Sequence, residues 1–88
     1  MTANDTGTDR ATAEAIAEFL EGRLGAAVPH DQDLFASGLV SSLFAMELVV
    51  HLEGVFGIAI TGSDLKLDNF RTVESMTALV DRLRASDA

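Results

Sequence analysis

A small all-α helical bundle is the fold this sequence predicts, with three long helices, one short helix and a long loop between the first and second. Three observations predict it. Apolar residues recur near the 3.6-residue period in three separate stretches, and none shows the alternation of a half-buried strand. The single proline, Pro29, falls in a connection from Leu24 to Val40, away from all three stretches. The length, 88 residues, suits one domain with a simple core.

The elements follow in order. Met1 to Thr8 has the polar, small-residue content of a disordered tail, so residues 1–8 are expected as tail and 9–86 as the folded domain. A first helix is expected from about Asp9 to Glu21, capped by Thr8 or Asp9. Ala13, Ile16, Ala17, Phe19 and Leu20 form its apolar stripe, and Gly22 and Gly25 end it. Leu34, Phe35, Leu39 and Val40 are the apolar anchors of the long connection. Loops of this length in compact domains are usually functional or packed. A second helix is expected from Ser41 or Ser42 to Phe56, with Leu48, Val49, Leu52, Val55 and Phe56 buried. Leu43, Met46 and Val50 make a second apolar face on it, among the polar positions Glu47, His51 and Glu53. Gly57 stops this helix and Ile58-Ala59-Ile60 is extended. A brief helical turn around Ser63 to Leu67 is capped by Thr61 or Ser63. The final helix runs from about Thr72 to Ala85 on Val73, Met76, Leu79, Val80 and Leu83.

Composition narrows function. A net charge of −8 disfavours nucleic acid, whose phosphates would be repelled. No cysteine is present, which removes disulfides, thiolate metal sites and a cysteine nucleophile. The N-terminal residues lack the apolar run of a secretory signal and no run is long enough to span a bilayer, so a cytoplasmic protein without membrane contact is expected. His30 and His51 have no metal-donor spacing, and Asp31, Asp33, Asp64 and Asp68 lack that of a calcium loop, so no metal site is expected. No nucleophile-elbow pattern surrounds Ser42 and no acid–base pair stands out. No catalytic residue is therefore assigned, and the chain is not expected to be an enzyme.

The distinctive stretch is Asp33-Leu34-Phe35 with Gly38-Leu39, then Ser42-Leu43, Met46-Glu47-Leu48-Val49 and Leu52-Glu53. It reads as a loop ending in a serine that opens an apolar helix. Backbone N–H groups and the helix dipole at such a position favour an anionic substituent. With Phe56-Gly57-Ile58 and Asn69-Phe70-Arg71-Thr72-Val73 further on, these segments resemble, in order and spacing, the acyl carrier proteins. The likeness covers about residues 9 to 85. Two positions depart from it: Ser41 stands where the family usually has aspartate, and Phe44 where a polar residue is common.

The resemblance implies 4′-phosphopantetheine attached to Ser42, taken from coenzyme A by a phosphopantetheinyl transferase. The arm would hold an acyl group as a thioester. The chain would be a monomeric, free-standing carrier. Its partners would be acyl-loading and acyl-modifying enzymes and the acyltransferase or ketosynthase of a synthase. The segment from Gly38 to Met46 is similar to discrete carriers of methoxymalonyl- or hydroxymalonyl-type polyketide extender units, which implies polyketide or antibiotic biosynthesis. A discrete peptidyl or aminoacyl carrier is the alternative. A helical interaction module without a cofactor, with Ser42 an ordinary cap, is the alternative of another class. Leu43, Met46, Glu47 and Val50 are the expected partner-binding residues, with Glu47 a lone carboxylate open to a partner arginine.

Overall fold

The computed structural model describes the backbone of residues 3–87 and the side chains of residues 11–85. Helix α1 spans Ala3–Leu24, α2 Ser42–Phe56 and α3 Val73–Asp87, with short 3-10 turns at Gly62–Asp64 and Leu67–Phe70. The expected all-α bundle forms, and no strand occurs among the described residues.

Helix α1 begins at Ala3, earlier than the expected Asp9, and takes up the described part of the segment read as a tail. Met1 and Thr2 lie outside the described residues. Asn4, Asp5, Thr6, Gly7 and Thr8 are weak helix formers, which is why their sequence suggested a later start. Extending an established helix costs far less than nucleating one. At its other end α1 continues through Gly22 to Leu24. It then stops at Gly25, whose φ of 79° is left-handed and whose N–H donates to the Glu21 carbonyl at 2.8 Å.

The core joins Ile16 and Leu20 of α1, Leu34 and Val40 of the loop, and Leu48 and Leu52 of α2. Ile58, Ile60 and Phe70 complete it with Val73, Met76, Leu79 and Val80. Burying each large side chain contributes about 1.5–3 kcal/mol. Helix α1 packs chiefly against α3. The buried arc of α2 is centred on Ala45, Leu48 and Leu52. At about 100° per residue, Val49, Val55 and Phe56 fall on its margins. Val49 and Phe56 are therefore only partly buried, and Val55, expected in the core, is 55% exposed in the last turn.

The long loop is held from below. Leu34 donates its N–H to the Arg71 carbonyl at 2.7 Å, and Glu74 donates its own to the His30 carbonyl at 3.1 Å. Asp33 Oδ1 accepts from the N–H groups of Phe35 at 3.0 Å and Ala36 at 2.9 Å. Arg71 Nη1 reaches Asp33 Oδ2 at 3.3 Å, while its Nε donates to Asp68 Oδ1 at 2.8 Å. The Ala36 N–H, then the Arg71 charge and the Phe35 N–H, hold the Asp33 carboxyl below the usual carboxylate range against the opposing effect of desolvation. The chain reverses at Gly38, φ 80°, and closes where Val40 N–H donates to the Leu34 carbonyl at 3.0 Å. Val40 is thereby turned inward. Leu39, expected as an anchor, is left 41% exposed, and Phe35 is half-buried.

Beyond α2, Gly57 (φ 66°) donates to the Glu53 carbonyl at 3.0 Å. Glu53 Oε2 accepts from Ile60 N–H at 2.8 Å and fixes the extended segment that follows. One helical turn was expected here and two 3-10 turns form, neither capped by a side chain. Asn69 Nδ2, donating to the Asp64 carbonyl at 2.8 Å, ties them together instead. Thr72 opens α3 by accepting from Ser75 N–H at 2.9 Å. No described helix is long and apolar enough to cross a membrane.

Candidate functional site

Two adjacent serines sit at the start of α2, and the backbone separates their roles. Ser41 is the N-cap, with extended φ/ψ of −94° and 169°, and its Oγ accepts from Phe44 N–H at 3.2 Å. Ser42 is the first helical residue and is exposed, and its hydroxyl has no hydrogen-bond partner among the described residues. Thus the cap is filled by one serine and the other presents a free hydroxyl at the positive end of the helix. A phosphodiester on that oxygen would meet favourable dipole and N–H groups. No acidic residue occupies the first turn of α2 to oppose it.

Ser42 also borders a groove of about 260 Å³, shared with Ala45, Met46, Val49, Leu65, Lys66, Leu67 and Phe70. The 3-10 turns form its far wall. Sequence reading missed this wall, because nothing local to Leu65 to Phe70 says that it lies opposite Ser42. The exposed hydroxyl, the helix terminus and the adjoining apolar groove fit a phosphopantetheine arm.

The expected partner-binding residues share one face of α2. Leu43 is 78%, Met46 60% and Val50 68% exposed. Glu47 lies among them but is not a lone carboxylate, because Arg23 of α1 pairs with it. The guanidinium of Arg23 also stands 5.6 Å from the Phe19 ring centre and 5.1 Å from that of Phe44. Phe19 stacks on His51 at 3.7 Å with a 13° interplanar angle, and on Phe44 at 6.2 Å. Phe44 is accordingly half-buried against α1 and does not simply add to the surface. Burial first, and then the Arg23 charge, push the His51 imidazole below its usual value. These side chains frame a second groove of about 500 Å³, lined by Phe19, Arg23, Leu43, Met46, Glu47, Val50 and His51. The α1 half of it was not anticipated. Only the apolar Phe44 gave any local signal that α1 would cover part of this face. No group of three metal-donor side chains converges among the described residues.

The profile of the family described as "Phosphopantetheine attachment site" matches residues 14–80, and the chain belongs to that family of carrier domains. Covalently attached 4′-phosphopantetheine is its prosthetic group. Among curated proteins the chain is similar to D-alanyl carrier proteins of Streptococcus pyogenes, in serotype M5 (strain Manfredo) and serotype M1. Each is 37% identical over 54 residues, covering 61% of this chain and 68% of the relative.

Proposed function

We propose that this chain carries an acyl group as a thioester on 4′-phosphopantetheine at Ser42, presents it to partner enzymes, and catalyses nothing itself. The observation that carries the reading is the division of labour between the serines: Ser41 is spent on the cap and Ser42 is free. The arm supplies a thiol, which the cysteine-free chain lacks. The chain contributes the anchoring oxygen, a helix terminus that favours the phosphate, and a tether that raises the effective concentration of the acyl group at each partner. Family membership weighs against the cofactor-free module.

The D-alanyl carrier relatives support an aminoacyl cargo over the malonate-type extender unit that the Gly38–Met46 segment resembles. One observation favours a carboxylated cargo as a second reading. Lys66 is the one charged side chain on the groove at Ser42, and its ammonium has no ion-pair partner among the described residues. Partners under either reading are a phosphopantetheinyl transferase and enzymes that load and use the acyl group.

The test is intact mass after incubation with coenzyme A and a broad-specificity phosphopantetheinyl transferase. The parent and Ser41→Ala are expected to gain one phosphopantetheine, and Ser42→Ala none. A gain in Ser42→Ala would overturn the site. Offering the loaded protein D-alanine with an ATP-dependent activating enzyme, or malonyl-coenzyme A with an acyltransferase, then separates the two cargoes by mass.

A further inference from the structure

We propose that Lys66 is a self-acylation site, whose amine takes the acyl group from the thioester tethered at Ser42 and keeps it as an amide. The proposal rests on the carrier reading above. Lys66 is the only lysine of the chain and there is no cysteine, so its Nζ is the one side-chain amine or thiol able to accept an acyl group. The fold sets it beside the attachment point. Lys66 precedes the second 3-10 turn in extended conformation, φ −142° and ψ 151°, and its carbonyl accepts from Asn69 N–H at 3.1 Å. It thereby lines the groove of about 260 Å³ that Ser42 borders, and every side chain there besides these two is apolar. Its ammonium has no ion-pair partner among the described residues to hold it away from the groove.

The chemistry is an acyl transfer from sulfur to nitrogen. As the free amine, Lys66 Nζ attacks the thioester carbonyl carbon. The C–N bond forms, the C–S bond breaks, and the proton lost by nitrogen leaves the arm's sulfur as a thiol. No other reactant is consumed. An amide is far more stable than a thioester, so the transfer runs one way. Tethering on the same chain gives the acyl group an effective concentration at Lys66 of about millimolar, which a dilute donor in free solution lacks. The paired guanidiniums of Arg23, Arg71 and Arg82 stay protonated and do not compete. The product returns the arm empty and replaces the groove's one cation with an amide. The loaded protein thus holds its own discharge route, independent of any partner.

The probe is acetyl-coenzyme A, offered to a broad-specificity phosphopantetheinyl transferase so that the arm arrives on Ser42 already acetylated. Gel filtration then removes the donor, and timed samples are treated with neutral hydroxylamine, which cleaves thioesters and spares amides. A hydroxylamine-resistant acetyl group is expected to build up with a half-time unchanged by about tenfold dilution, as a transfer within one chain requires. Trypsin no longer cuts after Lys66 in that product, so residues 24–71 leave as one peptide, and its fragmentation places the acetyl group on Lys66. Lys66→Arg, which keeps the charge at an exposed position, is expected to load equally and to gain no resistant acetyl group. Ser42→Ala, mixed with acetyl-coenzyme A at the concentration of the loaded protein, should acetylate Lys66 at least about tenfold more slowly. As much resistant acetyl in Lys66→Arg as in the parent, or a rate constant that falls on dilution, would overturn the site. Failure of the parent to load strikes the carrier reading, whereas loading without a resistant acetyl group strikes self-acylation alone.

Discussion

Ser41 and Ser42 are the same residue type one bond apart, and only backbone position gives them different chemistry. Ser41→Ala removes an N-cap and is expected to cost about 0.5–2 kcal/mol in urea unfolding while leaving the Ser42 hydroxyl in place. His51 titrates below its usual 6.5 in the fold, so the unfolded chain takes up the proton first on acidification. The stability owed to its neutral form is complete above about pH 6.5 and declines as pH falls from there through the lowered value. His51→Phe keeps the stacked ring and removes the proton. Its melting temperature should fall less than the parent's between about pH 7 and pH 5. That a serine opens α2 was legible in the sequence because its flanking segments are local. The pairing of Arg23 with Glu47, and that of Arg71 with Asp33, were not. Those partners lie on different elements, and apolar periodicity carries no information about which exposed charges meet.

Among elements, α2 and its C-cap hold two glycines of opposite consequence. Gly54 is inside the helix, exposed, with open space where a Cβ would go. Gly54→Ala should stabilise by about 0.5–1 kcal/mol through the entropy of the unfolded chain. Gly57, at φ 66°, ends the helix. Gly57→Ala should destabilise by roughly 1–2 kcal/mol, and thermal melts of the two variants should move in opposite directions. The span of α2, its glycine stop and the stripe of α3 could be read from the sequence, since each rests on residues a turn or less apart. The start of α1 and the paired 3-10 turns could not. One depends on helix extension through weak formers, the other on Asn69 and Asp64 closing a loop.

At the scale of the whole molecule, a small core holds together a chain of charge −8. Self-repulsion opposes compaction, so raising NaCl from about 0.01 to 0.15 M should raise the melting temperature. Leu52, fully buried between the helices, tests the core directly. Leu52→Ala should cost about 2–5 kcal/mol, enough to unfold much of the population of a domain this size. The bundle itself was legible because three amphipathic stretches have few ways to bury their stripes. Which side of α2 would be left open was legible too, since Leu43, Met46 and Val50, read as its second apolar face, are the exposed ones; that Val55 would also be exposed was not.

Met46 lies on the ridge between the two grooves and forms a wall of each. Met46 is 60% exposed, and an exposed methionine is open to oxidation by peroxide. Conversion to the sulfoxide would place a polar, chiral oxygen on the ridge and reshape both surfaces in one event. Reduction by a methionine sulfoxide reductase would restore both together, so the side of α2 that faces the 3-10 turns and the side that faces α1 share a single redox-sensitive atom.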